Sequence, residues 1–443
     1  MTDFTTTDTG TGYGRKQPSH DARLTEVGPG TPMGEAMRRY WHPVATSETL
    51  TGEAPHRTRV LGEDLIVFRD GQGRAGVVHE RCAHRGSSLF YGRIEDDGIR
   101  CCYHGWKFDV QGHCLEQACE PGGGRRREVA RQPWYPVEER YGLVFAYLGP
   151  PDRKPALPRF DALDPAEEGD RYWAGWPVPG AEVTGMEQDF NWLQIWENAI
   201  DNAHVTWLHY AHSGAQLTGT GTAEGLPESF YDPSRYAETT TYHKTEFGAK
   251  YHQRYETTAP DGTRTELEWR LEQQLPNIIA LPDFTQVTPD ARHNLLIWVV
   301  PSDDTHHRVF FSIRAADPGR MERLVFGIKQ NGRMFWEMTE EDLRKYPSDI
   351  EAQGSQGPIT LHSEETLATS DRGVVMVRRM LRTMVDDVEA GKDPLGVSRS
   401  DGPPRHIDSG VFTVPADSDA ILQEGTAPSA FSAPKSAAPA PGV

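Results

Sequence analysis

Two short runs gather the metal-binding side chains of this chain. Cys82-Ala83-His84 is answered by Cys101-Cys102-Tyr103-His104, and about a hundred residues later Asp201 is followed by His204 and His209. The first pair of runs offers two thiolates and two imidazoles from two loops. That is the donor set of a [2Fe–2S] cluster with His84 and His104 on one iron and two cysteines on the other. Neutral imidazoles in place of two anions raise the reduction potential to roughly −150 to +300 mV, from about −400 mV for an all-cysteine cluster. Structural zinc also takes two Cys and two His, but it mostly pairs its cysteines as Cys-x2-Cys. Cys82 supplies one thiolate. Spacing leaves the other open, because Cys102-Tyr103-His104 is itself Cys-x-His, and in an extended segment Cys101 and Cys102 point opposite ways.

His204 and His209 lie five apart, about 140° around an ideal helix. They can share a metal only if the helix bulges or ends between them, an irregularity common at functional sites. With one carboxylate they would form the facial triad of a non-haem Fe(II) oxygenase, which leaves positions for O₂ and substrate. Many downstream acids are available for that role. Asp201, three residues before His204 on the same face, is placed to accept the imidazole's outer N–H; the simpler alternative is a capping acid. Paired histidines on a helix are often just packed or exposed, and His212 shows how freely histidine occurs nearby.

The elements that must hold these residues change character along the chain. A short entry helix is expected over Pro32–Trp41. Short strands follow at Leu65–Phe68, Ala75–Val78 and Leu143–Leu148, broken by turns such as Asp70-Gly71-Gln72-Gly73. The Pro-rich run Gly149–Pro158 reads as a connector. Beyond it a helix is expected over Asp189–His209, then strands at Tyr251–Tyr255, Glu266–Gln274, Leu295–Val300 and Val309–Ile313. Helices are expected over Met321–Tyr346 and Ser370–Ala390, the last with Val377, Met380, Leu381, Met384, Val385 and Val388 on one face and Gly391 at its end. The fold class is therefore α+β, an all-β unit followed by an antiparallel sheet flanked by helices. The expected domains are a disordered lead-in (1–21), a cluster domain (22–150), a catalytic domain (151–426) and a disordered Ala/Pro/Ser tail (427–443).

Composition narrows the class. A formal charge of −19 over 443 residues argues against nucleic acid or an anionic membrane as partner. No run of 18 apolar residues and no secretory h-region occurs. Five cysteines, an odd number crowded between Cys82 and Cys119, do not make a disulfide framework, so a reducing cytoplasm is the expected location.

Cys82-Ala83-His84-Arg85-Gly86 and Cys101-Cys102-Tyr103-His104-Gly105-Trp106-Lys107-Phe108-Asp109 resemble the Rieske signature of ring-hydroxylating oxygenases. In that signature the first of the two adjacent cysteines binds, which implies Cys101; Cys102, Cys114 and Cys119 are then ordinary packed thiols. Asn191-Trp192 with Glu197-Asn198-Ala199-Ile200-Asp201-Asn202-Ala203-His204 and His209 resembles the iron-binding helix of Rieske non-haem iron oxygenase large subunits. The run Asp349–Ile359 with Thr369-Ser370-Asp371 and Arg378–Leu381 is similar to the phthalate-dioxygenase-type branch, which implies Asp349 as the carboxylate ligand. The likeness extends from the entry segment Gly28–Gly34 and Tyr40-Trp41-His42-Pro43, so it spans roughly residues 22–395. It departs from the branch at Thr360-Leu361-His362, where Asp-Arg is usual.

The resemblance implies a helix-grip catalytic domain and a terminal oxygenase. It would use O₂ to hydroxylate, or O- or N-dealkylate, an aromatic carboxylate or ether. Electrons from NAD(P)H would arrive through a separate ferredoxin or flavin/[2Fe–2S] reductase, since this chain lacks a nucleotide-binding glycine fingerprint. It further implies a head-to-tail homotrimer in which Asp201 bridges its own His204 and a neighbour's His104. Trp207, Tyr210 and Trp298 are candidates for the pocket wall. A Rieske-type electron carrier would end near Gly149, and the roughly 290 residues beyond, with their own ligand set, weigh against it; a zinc-stabilised binding module would be colourless, whereas a Rieske protein is red-brown.

Overall fold

The computed structural model describes residues 17–164, 169–175, 183–213, 240–258, 264–281, 295–315, 329–330, 333–334 and 337–415. The tail at 427–443 lies outside them, as does the lead-in up to residue 16. Residues 17–21 are tied down: Ser19 and Ser363 exchange backbone and side-chain bonds, and Asp21 caps the helix Ala22–Thr25 while pairing with Arg382 at 2.7 Å.

The first half is built from three small antiparallel sheets. Leu65-Ile66-Val67-Phe68 is buried on both faces, and its alternation divides two cores. Leu65 and Val67 face the main core, whereas Ile66 and Phe68 pack with Cys82, Leu89, Ile99, Cys101 and Phe108 beneath the cysteine loops. A tight turn follows, in which the Asp70 carboxylate accepts from the N–H groups of Gln72 and Arg74 and Gly73 takes φ +81°. The Cys101–His104 run is a turn of the four-stranded sheet Arg93–Glu95, Gly98–Arg100, Trp106–Phe108 and Cys114–Gln117, whereas Cys82–His84 lies in a separate turn closed by the Arg81–Ser88 bridge. The entry helix stops earlier than expected, at Met37, because Trp41–Thr46 pairs with Leu143–Tyr147.

The second half centres on a nine-stranded antiparallel sheet. Its long strand Arg264–Gln274 sets Leu267, Trp269 and Leu271 toward the helices and Glu268, Arg270 and Glu272 to the other face. The expected strands all occur, with Val309–Ile313 extended to His307–Ala315. The helix Arg372–Glu389 buries the six apolar residues expected on one face, and Gly391 follows at φ +75°. Close approach fixes one glycine: a Cβ on Gly373 would meet the Tyr242 ring at 2.4 Å and the Ile200 carbonyl at 2.9 Å. Bonds from Leu61 N–H to the Pro301 carbonyl and from Gly62 N–H to the Ser302 carbonyl join the halves. Trp298 packs edge-on against Phe145 and Phe160 in this join, as part of the interdomain core.

Two expected helices differ. Asp189–His209 is broken into Trp192–Ile200, Asn202–Thr206 and a π-helical turn Trp207–His212. Met321–Tyr346 falls partly outside the described residues; its described part holds the strand pair Lys329–Gln330 with Arg333–Met334 and a helix only over Glu340–Lys345. Asn331-Gly332 between those strands is a pair that favours hairpins over helix.

Candidate metal centres

The two cysteine loops are built alike. In each, a glycine four residues after the cysteine takes positive φ (Gly86 +76°, Gly105 +68°) and returns its N–H to the cysteine carbonyl, at 2.8 and 3.1 Å. The N–H groups of His84 and Arg85 then face the Cys82 sulfur, and those of Tyr103 and His104 face the Cys101 sulfur. The two buried sulfurs share a hydrogen bond. That bond, with Cys82 as donor, pulls the Cys101 thiol down to about 5 and pushes Cys82 up. Cys102 is exposed, with its sulfur 3.9 Å from Ser87 Oγ; Cys119 is exposed too, so of the three cysteines expected as packed thiols only Cys114 is buried.

The imidazoles of His84 and His104 stand 4.5 Å apart, and Trp106 stacks on His84 at 4.4 Å and 3°. His84 Nδ1 is buried without a hydrogen-bond partner. An orphaned ring nitrogen beside two thiols held by backbone N–H groups fits a cluster with mixed ligands. Gln132, which the motifs did not indicate, secures the first loop: its Oε1 accepts from Ala83 N–H at 2.8 Å and its Nε2 donates to the carbonyls of His79 and Arg81.

The second centre depends on the broken helix. Asp201 (ψ 87°) ends the first segment and caps the second, its carboxylate accepting from Ala203 N–H at 3.1 Å. The next turn closes by i→i+5 bonding, as from Ser213 N–H to the Leu208 carbonyl. That widening reconciles a five-residue spacing with one metal. His204, His209 and Asp349 bring three ligand atoms within 4.8 Å of one another. His204 Nε2 is 3.4 Å and His209 Nε2 3.1 Å from the Asp349 carboxylate oxygens.

Asp349 opens the helix Asp349–Gly354, where the N-terminal dipole favours an anion. Burial pushes its carboxyl up, but His209, His204 and Asn198 outweigh this and hold it well below the usual range. His204 Nδ1 bonds the backbone carbonyl of Asp201, not its carboxylate as expected from the spacing, because that carboxylate is engaged in capping. The effect on the ring is the same: a proton on Nδ1 leaves Nε2 with a lone pair for a metal. Two imidazoles and one carboxylate, with the His204 tautomer fixed and His209 buried, suit a single ferrous ion.

Asn198 is the residue that spacing missed. Its Nδ2 donates to Asp349 Oδ1 at 3.0 Å and lies 3.2 Å from His204 Nε2. Behind it the Arg378 guanidinium grips Glu197 with bonds of 2.5 and 2.6 Å and Glu365 with bonds of 2.5 and 2.8 Å. Trp207 is 58 % exposed, and the Tyr210 side chain lies outside the described residues.

Models of the Rieske [2Fe-2S] domain and of the vanillate O-demethylase oxygenase C-terminal domain match residues 40–130 and 189–387. The chain is 44% identical over 385 residues to the phenoxybenzoate dioxygenase subunit alpha of Ectopseudomonas oleovorans, covering 86% of this chain and 88% of that one. It is 39% identical to the tert-butanol monooxygenase / tert-amyl alcohol desaturase oxygenase subunit of Aquincola tertiaricarbonis, covering 84% and 77%. Among solved structures, dicamba monooxygenase bound to dicamba shares the fold, with a TM-score of 0.56 at 18% identity over 80% of this chain and 99% of that one. The chain belongs to the Rieske non-haem iron oxygenases, as a large (alpha) subunit. It is therefore a terminal oxygenase carrying a Rieske cluster and a mononuclear iron, supplied with electrons by a separate reductase component. Among the described residues no helix is long and apolar enough to cross a membrane.

Proposed function

We propose that Cys82, His84, Cys101 and His104 hold the cluster, that His204, His209 and Asp349 hold the iron, and that the substrate is an aromatic carboxylate or aryl ether. The observation that carries the reading is the convergence of the three iron-site ligand atoms within 4.8 Å. When bound, the cluster supplies single electrons and the iron activates O₂ beside the substrate.

The rest is the work of this chain's own residues. The Asp201 carbonyl keeps a proton on His204 Nδ1, and Asn198 holds the Asp349 carboxylate in place. Trp106 fixes the His84 ring by stacking. In a head-to-tail ring, a heterologous and closing assembly, a neighbour's His104 would approach Asp201 from outside. Asp201 is half-buried at the surface of the iron helix, where burial pushes its carboxyl up and His204 pulls it down. Its backbone carbonyl holds His204 and its carboxylate caps Ala203, so in the proposed ring the remaining carboxylate oxygen would be the group that meets the neighbour's imidazole. The cluster domain takes residues 22–150 and the catalytic domain 151–426, in a reducing compartment.

The substrate class is supported by the 44%-identical relative named for phenoxybenzoate, at once an aryl ether and an aromatic carboxylate. Oxygen and NADH consumption with a surrogate reductase, across aromatic acids, methoxyarenes and tert-butanol, tests it. Turnover with oxygenated or dealkylated aromatic products identified by mass is expected. Turnover of tert-butanol with indifference to every arene would overturn it.

A further inference from the structure

Charge is distributed unevenly along this chain. Residues 41–150 carry 14 Lys and Arg against 15 Asp and Glu, so of the total −19 only −1 sits on this part of the cluster domain. Within that domain most cations are paired: Arg57 with Glu80, Arg69 with Glu139, Arg74 with Asp70, Arg100 with Glu95 and Glu116, and Lys107 with Asp97. Six exposed arginines form no ion pair among the described residues: Arg81, Arg85, Arg125, Arg126, Arg127 and Arg131.

These six border the cluster loops. Arg81 precedes Cys82, and Arg85 lies over the Tyr103 ring at 5.7 Å. Arg131 pairs with His113 in a β-bridge beside the second hairpin, and the next residue, Gln132, is bonded into the first loop. Arg125–Arg127 lead into that bridge. Among them stand two exposed apolar side chains, Val129 (75 %) and Tyr103 (58 %). Unpaired arginine around an aromatic and an aliphatic anchor is the composition of a protein-binding surface.

We propose that this arginine collar is the docking surface for an acidic electron-donor protein. The inference rests on the cluster reading above and deepens it by giving the donor's charge and landing place. An acidic donor is repelled by the −18 of the remaining chain and attracted only within about a Debye length, roughly 8–10 Å, of the collar. The field thus selects the approach that brings the donor to the cluster loops. The overall charge of the chain by itself would have suggested a basic donor. The His84–His104 edge is left to face the iron of a neighbour, while the 125–131 flank remains open to the donor.

The test uses the holoenzyme and a reduced acidic plant-type [2Fe–2S] ferredoxin as probe. Stopped-flow bleaching of the Rieske bands gives the second-order rate constant, and biolayer interferometry gives binding of the oxidised ferredoxin. The triple variant Arg125→Glu, Arg126→Glu, Arg127→Glu should lower both by about tenfold or more at low salt, with the gap closing as salt rises. The neutral triple Gln variant should fall between them, and dithionite should bleach all three proteins equally. A coloured, dithionite-reducible charge-reversed enzyme with unchanged ferredoxin kinetics overturns the docking proposal alone. So does loss of the oligomer with an unchanged rate constant, which would assign the run to a contact between copies. A wild-type chain with no visible bands overturns the cluster reading, and the docking with it.

Discussion

Asn198→Ala should loosen the mononuclear iron while sparing the Rieske cluster. Its amide donates to Asp349 Oδ1 at 3.0 Å and is the polar side chain that fixes that carboxylate's orientation between two imidazoles. A hydrogen bond to a charged group contributes about 1.5–3 kcal/mol, which is roughly a 10- to 150-fold loss in affinity. Groups that orient metal ligands from behind show a similar range, about 10- to 100-fold. Competition for Fe(II) against a coloured chelator measures the affinity. The visible bands of the cluster serve as an internal control for folding, since the cluster loops draw on none of the helix Trp192–Ile200. A variant that keeps the cluster and binds Fe(II) as tightly as the wild type, within about twofold, would refute the reasoning. The carboxylate would then be held by its helix N-terminus alone.

Replacing His204 or Asp349 by Ala should leave about two irons and two acid-labile sulfides per chain in place of about three and two; metal and sulfide analysis decides. Asp201→Asn should retain both metals yet slow electron transfer severely, read as cluster reoxidation in single turnover with substrate and O₂; full turnover in a metal-replete variant would count against the bridge. Arg378→Met strands Glu197 in a buried site and leaves the half-buried Glu365 unpaired from it, and should cost about 3–5 kcal/mol. Arg23→Ala, which breaks the exposed pairs with Asp386 and Glu389, should cost under about 1 kcal/mol; thermal midpoints rank the two. Burial pushes His42, His252 and His307 down to about 4. The unfolded chain takes those protons near pH 6.5, so stability is full above that pH and declines as pH falls toward 4. His307→Gln should lose less of its thermal midpoint between pH 7 and pH 5 than the wild type.

The Cys/His donor set was legible because ligands close in sequence leave a pattern that few other needs produce, whereas the His204/His209 pair, which packing alone could explain, took its role from the resemblance. The strands and the apolar face of Arg372–Glu389 were legible for a related reason, since periodicity of two or 3.6 is local. Chain spacing could not choose the third ligand proposed for the iron: Asp349 lies 151 residues from the Asn198 amide that holds it, among many equivalent acids. Only the resemblance named it. Asp201 shows the opposite error. Its spacing to His204 suggested a carboxylate contact, but the helix breaks at that residue, so the side chain caps Ala203 and the carbonyl takes the imidazole.

The sequence by itself determined that a mixed Cys/His set and a later histidine pair are present and that a β-rich unit precedes an α+β one, because those signals are carried by neighbouring residues. Tertiary structure decided how they work. Packing turned the helix into a π-helical turn that aligns His204 with His209, buried Cys101 beside Cys82 while leaving Cys102 outside, and brought Asn198 and Asp349 together across the chain. Side-chain convergence over such separations depends on how sheets and helices close upon one another. No local run of residues encodes it.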